Sequence, residues 1–301
     1  MQRWPLIVNP SSGGGKGQAV QSLLESFCQE NGGELLYTEQ AGQATVLARQ
    51  AVESGVDRVL VGGGDDTVRE VLAGLLHREH PPEIGILPLG TFNNFARTLG
   101  LPIDPAAALE VAFGGHPVPV DLGQVNRERI FTESVGVGFQ AEAWQHKPEV
   151  EPVGLRRLLQ GASIALETLG GFEPKLFHLT IDEAEEMVRA MDITVANTPE
   201  FASAMTAAPY ASVSDGKLDV CVIRELSMLE FLASVPLIFT GLHPYLMTSV
   251  EYHQGCLIEI SGGGERPAPV RVDSSIDLRL PVTIEVLPGR ITVRVPQTQW
   301  P

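Results

Sequence analysis

Three glycine-bearing stretches, each set between an apolar run and a helical pattern, hold the side chains best suited to chemistry. The first is Asn9-Pro10-Ser11-Ser12-Gly13-Gly14-Gly15-Lys16-Gly17. Glycines let backbone N–H groups turn toward an anion, and a helix N-terminus favours negative charge. Asn9 adds a polar amide and Lys16 a cation. The spacing is not that of a Walker A loop, and a plain flexible connection accounts for this stretch equally well. The second is Val61-Gly62-Gly63-Gly64-Asp65-Asp66-Thr67-Val68-Arg69-Glu70-Val71. Thr67 and Glu70 have capping-box spacing, so Thr67 is expected to cap a helix. A cap does not explain three glycines before two carboxylates. Such a run costs backbone entropy unless close approach or unusual dihedrals are needed. Asp65 is suited to hold magnesium or its waters near triphosphate oxygens. The third is Leu87-Pro88-Leu89-Gly90-Thr91-Phe92-Asn93-Asn94-Phe95-Ala96-Arg97. Thr91 and Asn93 offer short polar groups for phosphate, ribose or base, while Asn93 also reads as a helix cap with Phe95 in the core.

The elements that would position these loops alternate in type. Pro5–Asn9, Glu34–Thr38, Arg58–Gly62 and Ile84–Pro88 read as strands. Gln18–Asn31, Thr45–Ser54 and Thr67–His77 carry helical periodicity. This alternation implies a parallel sheet covered by helices. The three loops then gather at the carboxyl ends of its strands, where open α/β sheets bind ligands. After Asp121 the pattern turns to short β-like runs: Leu122–Val125, Ile130–Ser134, Lys175–Ile181, Ile193–Asn197, Leu218–Ile223, Gly255–Ser261, Val270–Asp273, Val282–Val286 and Ile291–Val295. Two helices, Leu155–Leu169 and Met228–Gly241, interrupt them. The expected division is an α/β domain over residues 1–121 and a β-rich domain over 122–301, with no flexible linker between.

Composition narrows the partners. The 301 residues are 44% hydrophobic and carry 37 acidic against 21 basic side chains, a net charge of -16. So acidic a chain is a poor general ligand for nucleic acid and is repelled by an anionic bilayer unless a basic patch intervenes. Lipid recognition through an apolar groove stays open. Cys28, Cys221 and Cys256 form no CxxC pair, which fits a reducing cytoplasm and argues against a disulfide framework or structural zinc. The start lacks signal-peptide character. The greasy stretch Leu226–Leu246 is broken by Glu230, Pro236, His243 and Pro244, and reads as a buried or interfacial helix rather than a membrane span.

Taken in order, NPSSGG, GGDDTVRE, PLGTFNNFAR, SDGKLD (Ser214–Asp219) and VDSS (Val272–Ser275) resemble the motifs of the diacylglycerol kinase catalytic-domain family, and within it the bacterial YegS-like and DgkB-like lipid kinases. The resemblance implies an N-terminal α/β domain of the NAD kinase/diacylglycerol kinase type and a C-terminal β-sandwich. It implies ATP and magnesium as cofactors, with nucleotide contacts at Asn9, Thr38, Gly63, Gly64, Asp65, Asp66, Thr67, Glu70, Thr91 and Asn93. It also implies a separate magnesium site at Ser212, Asp215 and Lys217, a lipid acceptor such as diacylglycerol with peripheral membrane contact, and it admits a homodimer. NAD kinase chemistry shares the GGDGT loop, but the SDGKLD and GT-x-N-x-FAR segments match the lipid kinases better. Four departures stand out. Asp66 replaces a glycine, adding charge and bulk beside the expected phosphates. Asn94 replaces an aspartate. Ala202-Ser203-Ala204 stands near the place of a glycine triplet. Ser275 replaces the glutamate expected as catalytic base, leaving Asp273 and Asp277 as nearby carboxylates that read as solvent-facing hairpin charges.

Overall fold

A computed structural model describes residues 3–145, 167–168, 172–201, 205–227, 230, 233–234, 237–238, 240–264 and 266–297. Most of the expected helix Leu155–Leu169, half of Met228–Gly241, and all of Ala202-Ser203-Ala204 fall outside these residues. The chain divides into two compact units. The first comprises Met1–Leu122, Val213–Gly216 and Leu287–Pro301; the second comprises Gly123–Ser212 and Lys217–Val286.

In the first unit, β1 (Trp4–Val8), α1 (Ser12–Ala19), α2 (Gln21–Asn31), β2 (Gly33–Tyr37), α3 (Gln43–Glu53), β3 (Arg58–Gly63), α4 (Asp65–Leu75), β4 (Glu83–Pro88), α5 (Asn94–Thr98) and α6 (Pro105–Gly114) follow one another. The strands lie parallel in the order β2-β1-β3-β4. Leu6, Val8, Leu60 and Leu87 from the sheet pack with Leu24, Cys28, Leu109 and Ala112 from the helices. Strands β1, β3 and β4 are buried almost throughout, which is why they read as continuous apolar runs instead of alternating ones. Helix α6 starts on Asp104, whose carboxylate accepts the Ala107 N–H at 3.0 Å, with Pro105 in the first turn.

Strand β5 (His116–Val125) ends the first unit and runs unbroken into the second. There the chain forms β6 (Arg129–Phe131), β7 (Ser134–Gly138), α7 (Phe139–Gln145), β8 (Lys175–Ile181), β9 (Ala184–Ala190), β10 (Asp192–Ala196), the short pair β11 (Glu200–Phe201) and β12 (Met205–Thr206), β13 (Leu218–Ile223), helix α8 (His243–Leu246), β14 (Val250–Gly255), β15 (Leu257–Gly262), β16 (Pro269–Val272) and β17 (Ser275–Arg279). One antiparallel sheet has the order β14-β13-β10-β7-β16-β17. Strands β15, β8 and β9 belong to the other. Val135, Val137, Ile193, Val195, Val220 and Val270 from the first sheet share a core with Phe177, Leu179, Val188, Ile258, Ile260 and Ile284. This is a sandwich built from alternating residues.

The last strand departs from expectation. The two runs Val282–Val286 and Ile291–Val295 are one strand, β18 (Val282–Val295). Its first part pairs with β15 in the second unit. Its last part belongs to the first unit, where Val293 pairs in parallel with Ile84 of β4. Pro288-Gly289 has the composition of a turn, yet the chain continues through it.

Candidate functional site

The three glycine-bearing loops meet at one rim of the parallel sheet in the first unit. Asn9, just past β1, donates its Nδ2–H to Thr67 Oγ1 at 3.3 Å, joining the first loop to the second. The Phe95 N–H donates to Asp65 Oδ1 at 3.1 Å, joining the second to the third. A side-chain carbon on Gly90 would lie 2.3 Å from the Cα of Gly64, and one on Gly13 would lie 2.3 Å from the Leu89 carbonyl oxygen. These glycines are therefore set by backbone-to-backbone approach. In addition Gly13, Gly14 and Gly15 take φ of +60°, +73° and +95°, a left-handed run that other residues avoid. Strand order explains the convergence: β1, β3 and β4 are neighbours, and each loop leaves a carboxyl end.

The start of α4 corrects the capping expectation. Gly64 is the N-cap, in an extended conformation, and the helix opens at Asp65. Thr67 lies inside the first turn, is buried, and makes no cap bond. Glu70 reaches instead to the start of α3, where its Oε1 accepts the Gly42 N–H at 2.9 Å and its carbonyl accepts the Thr45 hydroxyl at 2.9 Å. Two carboxylates in a first turn suit the positive end of the helix dipole. Asp66 sits in regular helical backbone, so glycine is not required at its position. Its side chain is 60% exposed and pairs with Arg69 at 3.4 Å.

Thr38 continues from β2, its N–H donating to the Val8 carbonyl at 2.9 Å, and it is buried. Thr91 is exposed. Asn93 occupies the N-cap position of α5 in the left-handed region, but its amide is spent on Gly90, accepting that N–H at 2.8 Å and donating to its carbonyl at 3.0 Å. It shapes the Gly90 turn, and its side chain is buried. Asn94 is buried as well.

Within the second unit, the hairpin that carries Ser275 is tightly held. Asp273 is buried, contrary to the solvent-facing expectation, with φ at +48°. Its carboxylate accepts the N–H groups of Thr132, Glu133 and Ser134 at 3.1, 2.9 and 3.1 Å. Arg271, fully buried, donates to the Asp273 carbonyl, to Ser134 Oγ at 2.8 Å and to Gln140 Oε1 at 2.7 Å. Ser275 donates to the Val272 carbonyl at 2.9 Å and receives a hydrogen bond from Arg129. Arg129 also pairs with Asp277, which is exposed as expected. That guanidinium and the neighbouring donors hold the Asp277 carboxyl below the ordinary range despite partial burial.

Sequence reading missed Asp121. It is buried, and its two oxygens accept the Gly216 N–H at 2.7 Å and the Gly289 N–H at 2.6 Å. Those donors lie on the two later segments that complete the first unit. An aspartate set between the apolar residues Val120 and Leu122 was the available signal. Asp215, on the same returning segment as Gly216, is exposed, while Ser212 and Lys217 belong to the second unit. Among the described residues no group of three or more His, Cys, Asp or Glu side chains is placed to hold a metal ion.

The sequence profile described as "Diacylglycerol kinase catalytic domain" matches residues 3–125, and that described as "YegS C-terminal NAD kinase beta sandwich-like domain" matches residues 133–295. This chain belongs to the diacylglycerol kinase family. It is similar to the "Probable lipid kinase YegS-like" of Chromohalobacter salexigens, at 30% identity over 86% of this chain and 83% of that one. It is similar also to the "Diacylglycerol kinase" of Bacillus subtilis, at 30% identity over 81% and 80%. The crystal structure of a diacylglycerol kinase from Bacillus anthracis str. Sterne shares the fold, with a TM-score of 0.72 and 24% identity over 98% of this chain and 97% of that chain. The glycine rim fits the nucleotide that this kinase family implies, because Gly14 and Gly15, with open space above them, present backbone rather than side chains to polyphosphate oxygens. The Asp65 carboxylate at this rim would be enough to hold magnesium, which takes its remaining oxygens from phosphate and water. Among the described residues no helix is long and apolar enough to cross a membrane.

Proposed function

We propose that this chain transfers the γ-phosphoryl group of ATP to a hydroxyl of diacylglycerol or a related lipid. The observation that carries this reading is the joining of three glycine-bearing loops around Asp65 at one sheet rim. Asp65 would hold magnesium, which supplies charge neutralisation across the phosphates. Backbone N–H groups of the glycine turns, with Thr38, Thr67 and Thr91, would position the nucleotide; such chemistry depends chiefly on positioning and electrostatics. Ser212, Asp215 and Lys217 are proposed as a second, structural magnesium site. The test is a detergent-micelle assay with labelled ATP and a lipid panel. Transfer should appear for the unaltered chain and fall at least a hundredfold in Asp65→Ala; transfer no greater than that variant's sinks the reading.

A second reading is favoured by the hairpin. Ser275 cannot act as a base without an activator, Asp273 is committed to three N–H donors, and Asp277 to Arg129. Lack of a base costs about a hundredfold to ten-thousandfold, so the chain would bind Mg-ATP with little or no turnover. On this reading Asp66→Gly combined with Ser275→Glu creates turnover where the unaltered chain has none. Rapid turnover by the unaltered chain rejects it.

A further inference from the structure

Within the second unit, α8 and the turn at residues 207–211 carry a patch of exposed apolar side chains. Tyr245 and Leu246 are 62% and 64% exposed, and Tyr210 and Leu242 are each 44% exposed. Scattered apolar side chains are ordinary on a protein surface, whereas adjacent ones mark contact sites. These four are adjacent. The N–H groups of Tyr245 and Leu246 both donate to the Leu242 carbonyl at 3.1 Å, so the three share one helical turn. The Tyr210 ring stands edge-on to Tyr245 at 5.4 Å and to Tyr252 at 5.0 Å, and the Tyr210 and Tyr245 hydroxyls share a hydrogen bond. Beneath them His243 Nε2 lies 3.1 Å from the Ala207 carbonyl oxygen, tying α8 to the turn. Tyr252 packs on Ala196, Ala208 and Ala211, and its hydroxyl is held by Asp219. The patch is therefore braced from the sheet below it.

Charge, area and side-chain chemistry select what covers it. Residues 201–214 and 231–250, which supply all four side chains, hold no Asp, Glu, Lys or Arg, although 19% of the chain is charged. The four together expose about 400 Å², half of the roughly 800 Å² that each partner gives to a standard protein interface. That is too little for a stable contact with a second copy. A bilayer sets no such threshold, because apolar side chains enter its interface one by one. Tyrosine suits that depth, with an apolar ring and a polar hydroxyl at headgroup level. We propose that Tyr210, Leu242, Tyr245 and Leu246 dock this chain on the headgroup–acyl boundary of a zwitterionic bilayer. The patch offers no cation to anionic lipid, and a net charge of -16 opposes an anionic surface. Docking is thus apolar rather than electrostatic. The choice of a lipid surface rests on the lipid-acceptor reading given above.

The full chain is mixed with phosphatidylcholine vesicles, without ATP, and the bound fraction is read by flotation. The unaltered chain should bind, and raising salt from about 0.05 to 0.5 M should not weaken it. Vesicles containing one third phosphatidylglycerol should bind it less well at the lower salt. Tyr245→Gln combined with Leu246→Gln should lose tenfold or more in partitioning and melt with the parent, since both side chains are exposed. Leu246→Trp should bind threefold or more tightly. Leu176→Gln combined with Met187→Gln removes two apolar side chains as exposed as these from β8 and β9, and should bind like the parent. No vesicle binding by the unaltered chain, equal losses in the two double variants, or binding abolished by salt overturns the docking face. A dimer that the Tyr245 and Leu246 double variant dissolves assigns the patch to a second copy and overturns it too. Phosphoryl transfer is read separately, on a water-soluble short-chain diacylglycerol. Vesicle binding without transfer overturns the kinase reading and leaves the docking face standing; transfer without vesicle binding does the reverse.

Discussion

Asp192 shows how strongly one residue's burial can outweigh its hydrogen bonds. Its carboxylate accepts the Gln140 N–H at 2.9 Å, the Gln140 side-chain amide and the Thr194 hydroxyl at 3.1 Å, and Arg271 lies near enough to favour its charge. Burial nevertheless raises the carboxyl from its ordinary value of 3.8 to about 6. The folded chain therefore keeps this proton to about pH 6, while the unfolded chain releases it near pH 4. Between those values the folded state binds more protons, so this contribution to stability is full in acid and is lost as pH rises through the folded value. A shift of about two units corresponds to about 3 kcal/mol. Urea unfolding of the parent should lose about that much more stability from pH 4 to pH 7 than Asp192→Asn, which has no proton to release. Parallel pH profiles for the two would show that Asp192 titrates normally. The same network bears on Ser275, because Gln140 Oε1 also accepts from Arg271, and Arg271 donates to the Asp273 carbonyl within the Ser275 hairpin.

At the scale of elements, the turn at the head of α1 separates two reasons for glycine. Gly14 needs its left-handed backbone but has open space around it, whereas Gly13 needs that backbone and also abuts the Leu89 carbonyl. Gly14→Ala should cost about 1–2 kcal/mol, the left-handed penalty alone. Gly13→Ala must in addition displace the third loop, so it should melt lower than Gly14→Ala and weaken Mg-tripolyphosphate binding as well. Equal melting temperatures and equal affinities would mean that the first and third loops do not brace each other. The four parallel strands and their loops were legible because each buried strand is a short apolar run punctuated by glycine. The start of α4 was not, because Thr67 and Glu70 mimic a capping box while their side chains serve Asn9 and Gly42. Helix α6 was legible and overlooked: Asp104-Pro105 is a cap followed by a first-turn proline. Asp273 was misjudged because a hairpin aspartate ordinarily faces solvent, and only the fold reveals the three N–H groups around it. The continuity of β18 was hidden by Pro288-Gly289, since no local pattern says that a chain with turn composition stays extended.

At the scale of the whole molecule, the first unit is completed by residues far along the chain. Strand β18 returns to it with Ile291, Val293 and Val295 all buried. Its Arg294 donates to Glu83 Oε2 and, at 2.7 Å, to the Gly115 carbonyl, while Arg290 donates to the Glu79 carbonyl at 2.6 Å. The buried Asp121 carboxylate accepts an N–H from each of the two returning segments. A fragment ending at residue 122 loses all of these. Burying three such aliphatic side chains contributes about 5–9 kcal/mol, and stranding a buried carboxylate subtracts several more. Domains of this size are stable by only about 5–15 kcal/mol in total. The glycine rim is built on β1, β3 and β4, and β4 is the strand that β18 pairs with. A fragment of residues 1–122 should therefore show no cooperative urea transition and no Mg-ATP heat, although every rim loop is present in it. Asp121→Ala in the full chain should stay folded but lose about 1–3 kcal/mol, since the Gly216 and Gly289 N–H groups lose their charged acceptor. A fragment that unfolds cooperatively and binds nucleotide like the full chain would show that the parallel sheet is self-sufficient and that the late segments are ornament.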